Sequence, residues 1–106
     1  MEPTEAQIQK SILDYLKLKG HFAIRVNTQG VPMWNEGGRM KGFRPSPMKG
    51  VADILGVKKG GQFFAIEVKK KGNKPSPEQI HFLKEIESRG GVAMVAYSLD
   101  EVMKNL

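Results

Sequence analysis

The chain has 106 residues, with seventeen Lys or Arg against eleven Asp or Glu for a net charge of +6, and no cysteine. That length supports one hydrophobic core without cross-links, and the missing thiols exclude disulfides, thiolate zinc sites and cysteine nucleophiles. The polar opening Met1-Glu2-Pro3-Thr4-Glu5 is unlike a signal peptide, and no apolar run approaches the roughly 18 residues of a membrane span, so one soluble, cytoplasmic domain over residues 1–106 is expected.

Thr4-Glu5-Ala6-Gln7 reads as a capping box, and Ile8, Ile12, Tyr15 and Leu16 follow at helical spacing, predicting a helix from Glu5 to Lys19 ended by Gly20. His21 to Asn27 alternates like a strand. Residues 29–49 gather Gly and Pro with little periodicity and read as a long loop, of a length that is usually functional or disordered. Val51 to Val57 and Gln62 to Lys70 are two strands around Lys58-Lys59-Gly60-Gly61, an antiparallel hairpin by its turn residues. Ser76-Pro77-Glu78-Gln79 repeats the helix-start pattern, with Ser76 as cap and Pro77 at the first helical position, for a helix reaching Arg89. Gly90-Gly91 closes it, Val92 to Tyr97 is a short apolar strand, and Ser98 caps a last short helix. The predicted order is α-β-β-β-α-β-α.

Positive charge is concentrated in the middle of the chain. Between Gln29 and Lys74 ten basic residues face three acidic ones, Glu36, Asp53 and Glu67, so this segment alone carries +7. Such a field suits a polyanion, although a solvated lysine-rich face would look the same in composition. Arg39, Lys41, Arg44 and Lys49 are the candidates for phosphate contacts, which give affinity and salt sensitivity but no sequence reading. Trp34 and Phe43 could stack on unpaired bases or equally pin their loop to the domain or to a partner subunit. His21 and His81 lie sixty residues apart with no third histidine, which disfavours zinc.

Within that segment, Glu67-Val68-Lys69 follows the apolar run Phe63-Phe64-Ala65-Ile66, and Asp53 precedes it by fourteen residues. Carboxylates in a strand that would favour Val, Ile or Phe are costly to desolvate unless something compensates them. Strand alternation turns Glu67 and Lys69 to one face, and Ile66 and Val68 to the other. The position of Asp53 depends on register. A three- or five-residue turn centred on Gly60 makes cross-strand partners sum to 120 and sets Asp53 opposite Glu67, whereas a two-residue Gly60-Gly61 turn sends Asp53 to the wrong face; the shared face therefore requires an odd turn or a bulge, and the glycines permit either. Opposed carboxylates repel, and a hard divalent cation such as Mg²⁺, with Mn²⁺ as substitute, would resolve the repulsion. Such an ion beside Lys69 is equipped for phosphodiester hydrolysis. An isolated Glu-x-Lys tripeptide is a weak signal; the upstream Asp53, the hairpin and the basic context give it weight.

Gly50-Val51-Ala52-Asp53, thirteen residues, then Glu67-Val68-Lys69, with Glu5 on a preceding helix and Gln79 on a following one, resembles the PD-(D/E)XK nuclease superfamily. It is most similar to the VRR-NUC (virus-type replication-repair nuclease) family, over essentially the whole chain. The resemblance implies an α/β restriction-endonuclease-like fold with a central mixed sheet flanked by helices. It also implies metal binding by Asp53, Glu67 and the Val68 backbone carbonyl, a catalytic Lys69, and Glu5 and Gln79 at the metal site. Ala52 stands where the family's motif has proline. Without the resemblance, Glu5 also suits the positive end of its helix and Gln79 suits a capping box. The small stand-alone members, from bacteria and phages, suggest DNA as substrate, in particular branched DNA such as a four-way (Holliday) junction, and a role in DNA repair. Symmetric cutting of a two-fold substrate by so short a chain suggests a homodimer. A non-catalytic nucleic-acid-binding domain of the same fold, or a small assembly or inhibitor protein with an acidic partner, are the rival readings.

Overall fold

Capping sets the helix boundaries in the computed structural model, which describes residues 2–26, 31–44 and 49–106, with the side chains of residues 31, 32, 43 and 44 outside that description. Helix α1 spans Glu5–Leu18, and its capping box forms as expected, with the Gln7 amide N–H donating to Thr4 Oγ1 at 3.1 Å and the Thr4 amide donating to Gln7 Oε1 at 2.9 Å. Strand β1 is Phe22–Arg25, β2 Val31–Trp34, β3 Met40–Arg44, β4 Ile54–Val57 and β5 Phe63–Val68. Helix α2 covers Pro77–Ser88, β6 Val92–Ala96 and α3 Leu99–Met103.

The predicted α-β-β-β-α-β-α series is therefore present, with one insertion. Residues 29–49 read as a loop, but their described part holds an antiparallel hairpin, β2 on β3. Its strands escape a search for alternation because they are only four and five residues long, with Pro32 in one and Gly42 in the other. Asn27 and residues 28–30 and 45–48 lie outside the described residues. The strand expected from Val51 starts only at Ile54, for a reason given below.

The main sheet runs β1-β4-β5-β6, antiparallel except for the parallel β5–β6 pair. Its β4–β5 partners are Ile54↔Ile66, Leu55↔Ala65, Gly56↔Phe64 and Val57↔Phe63, each summing to 120. The connection is the five-residue one centred on Gly60, closed by Lys58 N–H to the Gln62 carbonyl at 2.8 Å. One sheet face packs Ile54, Phe64, Ile66 and Val68 against Ile8, Ile12 and Leu16 of α1, with Val102 and Leu106 beside them. The other face packs Ala52 and Ala65 against Leu83 of α2. Helix α2 lies mainly over β5 and β6, with Leu55 of β4 reaching the same cluster.

At the Gly56↔Phe64 pair the aromatic ring occupies the space beside the glycine. A Cβ at Gly56 would overlap both that ring and the Phe22 carbonyl oxygen. Gly56→Ala is therefore expected to destabilise the domain by about 2–3 kcal/mol in urea denaturation, whereas Gly37→Ala, where a Cβ would come no closer than 3.4 Å to Asn35 Oδ1, should change stability by well under half of that.

Candidate functional site

Glu67 is the penultimate residue of the central strand β5, where its neighbours Ala65, Ile66 and Val68 are all buried. It is itself only 2% exposed and is the one buried charged residue among the described residues. Strand parity turns it toward α2, away from Ile66 and Val68, which lie in the α1 core. Two groups meet its Oε2: Gln79 Nε2 donates at 2.9 Å, and Lys69 Nζ stands 3.4 Å away, with the lysine side chain 18% exposed. Its Oε1 is buried with no hydrogen-bond partner.

Asp53 comes to the same place from β4. Backbone pairing with β5 stops at Ile54↔Ile66, and the Asp53 side chain supplies the next rung, its Oδ2 accepting the Val68 amide at 2.9 Å. This explains the late start of β4: the residue bends so that its carboxylate, and not its backbone, meets β5. On the other side the Asp53 carbonyl accepts the Val26 amide at 2.7 Å. Upstream, Gly50 has φ +87°, and a Cβ there would come within 2.9 Å of the Glu78 backbone, so only glycine lets this segment pass the start of α2.

Burial pushes the Glu67 carboxyl up to about 7, the adjoining Asp53 carboxylate adds to the rise, and Lys69 opposes it. An orphaned buried oxygen beside a second carboxylate is a donor set suited to a hard divalent cation. Asp53 and Glu67 are the residues that fit such an ion, and the Val68 carbonyl lies between them and Lys69 in sequence, at the end of β5.

The other expected residues are distributed differently. Gln79 is at the site and keeps its capping role as well: its Oε1 accepts the Ser76 amide at 2.8 Å while its Nε2 holds Glu67. Glu5 is not brought into a three-carboxylate group with Asp53 and Glu67; no group of three or more metal-ligating side chains forms among the described residues. Its Oε2 instead accepts from the Lys70 amide at 3.2 Å and Asn73 Nδ2 at 3.1 Å, fixing the chain just after Lys69. Sequence reading missed Asn73 and Tyr97, whose hydroxyl donates to the Asn73 carbonyl at 2.9 Å; only the Gly72-Asn73 turn signal hinted at either. Arg39 and Lys41 are exposed on the hairpin, Lys49 pairs with Glu78 at 3.6 Å, and the side chains of Arg44 and Phe43 lie outside the described residues. His21 is satisfied on both nitrogens, with the Lys59 amide on Nδ1 and the Leu106 carbonyl at Nε2, each at 3.0 Å.

In the absence of divalent cation, stability is expected to fall as pH rises from about 4.5 to about 7. Over that window the folded chain keeps a proton on Glu67 that the unfolded chain has released. Glu67→Gln should flatten this dependence and raise stability at pH 8 by about 2 kcal/mol, read from thermal melts across pH in the presence of chelator.

No family model matches the chain, and no curated protein matches it in sequence. A solved structure described as "VRR_NUC domain" superposes with a TM-score of 0.65 at 23% identity, over 96% of this chain and 94% of that one. A second, "VRR_NUC domain protein", gives 0.59 at 20% identity, over 98% and 85%. The fold of this chain is thus that of the VRR-NUC domain structures.

Proposed function

We propose that the chain is a metal-dependent endonuclease that hydrolyses DNA phosphodiester bonds, with branched DNA such as a four-way junction as its preferred substrate. The observation that carries this reading is the buried Glu67 carboxylate with its unpartnered Oε1, beside Asp53 and Lys69 at the end of β5. A purely structural role would not explain it, since an uncompensated buried carboxylate costs stability and an apolar residue would fill the position without that cost. Fold kinship with VRR-NUC domains adds to the case.

Asp53 and Glu67 would hold Mg²⁺, or Mn²⁺ in its place, with the Val68 carbonyl, and Glu5, whose Oε2 is engaged by Lys70 and Asn73, would have to move toward those two carboxylates to serve as a further ligand. The ion, when bound, supplies positive charge to the phosphate oxygens and lowers the pKa of water. Hydrolysis joins a water oxygen to phosphorus, breaks one P–O ester bond and returns a proton to the departing oxygen. Lys69, held over Glu67, is suited to orienting that water and to offsetting charge that grows on the phosphoryl oxygens. Gln79 fixes the Glu67 carboxylate so that its second oxygen stays aimed at the site.

A homodimer fits the same reading, because two-fold cutting wants two sites. Phe22, Val57 and Phe63 are paired in a row across β1, β4 and β5 and are 68%, 38% and 38% exposed, beside Ile24 at 47%. They lie on the same sheet face as the carboxylates, at the opposite end of β4 and β5, and a second copy is the occupant that would bury them.

Wild-type protein with Mg²⁺ is expected to cut four-way-junction DNA in preference to linear duplex, and to stop in chelator. Asp53→Ala should abolish cutting, and Lys69→Met should slow it about 10²–10³-fold while leaving DNA binding in chelator within about twofold. Equal cutting by Asp53→Ala would end the mechanism; tight, metal-independent binding with no cutting by wild type would favour a non-catalytic DNA-binding domain. In sedimentation velocity, Phe22→Glu should turn a dimer into a monomer; an unchanged sedimentation coefficient would remove the sheet face as the contact.

A further inference from the structure

The β2–β3 hairpin stands apart from the core. Its strands pack principally on each other, and the chain's radius of gyration, 15.5 Å, exceeds the ~13 Å of a compact domain of this length. At its end Trp34 and Met40 are directly opposed and therefore share a face; they are 60% and 52% exposed. The loop joining them is well fixed: Asn35 N–H donates to the Arg39 carbonyl at 2.9 Å, Gly38 N–H to the Asn35 carbonyl at 3.0 Å, and Arg39 N–H to Asn35 Oδ1 at 3.0 Å. A pre-set tip thus presents an uncovered indole and thioether. Arg39 and Lys41 flank Met40 in sequence, both exposed and without an ion pair among the described residues, and Glu36 is the only acidic residue of the tip.

A flat aromatic surface on a tip that also carries two exposed cations matches a ligand that has an exposed π-face and negative charge close by. Continuous duplex DNA hides its base faces in the stack; they are uncovered where strands part. We propose that Trp34, backed by Met40, stacks on the base face exposed where a DNA duplex opens at a branch, with Arg39 and Lys41 on the adjoining phosphates. This rests on the nuclease reading for the identity of the polyanion and deepens it, since it gives the preference for branched DNA a physical cause. The tip would distinguish an open junction from linear duplex without reading sequence.

Trp34 is the only tryptophan in the chain, so its own fluorescence reports the contact. The full chain in chelator is titrated with a four-way junction and with a linear duplex of equal length, following Trp fluorescence and, in parallel, the anisotropy of labelled DNA. Quenching of Trp34 by the junction, more than by the duplex, is expected. Trp34→Ala should weaken junction binding about 5- to 100-fold and duplex binding by less than about twofold, with Trp34→Phe restoring most of the loss. Unquenched Trp34 at saturating junction, or unchanged junction affinity in Trp34→Ala, would overturn the proposal. So would loss of the dimer in Trp34→Ala with junction affinity intact, which would assign the tip to a second copy. Quenching without any Mg²⁺-dependent cutting by wild type would sink the nuclease reading alone; cutting without quenching would sink this one alone.

Discussion

The Glu67 carboxylate occupies a position on β5 that Ala65, Ile66 and Val68 mark as hydrophobic core. Burial and the adjoining Asp53 charge both work against its ionisation, and Lys69 and Gln79 relieve only one of its two oxygens. Much of the local structure follows from holding the strained group in place. Asp53 gives up a strand conformation to cap the Val68 amide, Gly50 lets its segment slip past α2, and the five-residue turn at Gly60 keeps the two carboxylates on one face. Stability is spent here on a local charge conflict, an arrangement that suits a site waiting for a cation better than one built for rigidity.

The two sheet faces divide the labour. Under α1 and α3 the core is continuous and apolar, from Ile12 and Leu16 through Phe64 to Val102, and among the described residues the one buried charged side chain, Glu67, lies on the other face. Under α2 the cover is partial: it lies mainly over β5 and β6, while Phe22 and Ile24 of β1, Val57 of β4 and Phe63 of β5 keep exposed apolar surface. The carboxylates sit at the border between covered and uncovered halves. That location is dry enough to raise the Glu67 pKa and still open enough for Lys69 to retain some exposure.

The register was legible only as a condition: an odd-length turn or a bulge brings Asp53 to the Glu67 face, and the consecutive glycines permit either, while a two-residue turn does not. Helix starts were legible because capping boxes are local, as at Thr4 and Ser76. The β2–β3 hairpin was not, since neither short strand alternates and each is held only by the other. The displaced start of β4 was not either: Val51-Ala52-Asp53 has the look of a strand, and only the side-chain bond to the Val68 amide reveals the bend. Likewise, Glu5 bonds to Lys70 and Asn73 across more than sixty residues of chain, and Lys49 pairs with Glu78; contacts of that kind depend on how helices dock, which no local pattern encodes.

The shared duty of Gln79 carries a consequence for which side chain can stand there. Glutamate and glutamine serve equally well as the third residue of a capping box, because the helix asks only for an oxygen to accept the Ser76 amide. The other end of this amide, however, must give a proton to Glu67. Glutamate would offer a second anion in place of that donor, so the carboxylate on the neighbouring strand breaks a tie that helix geometry alone leaves undecided.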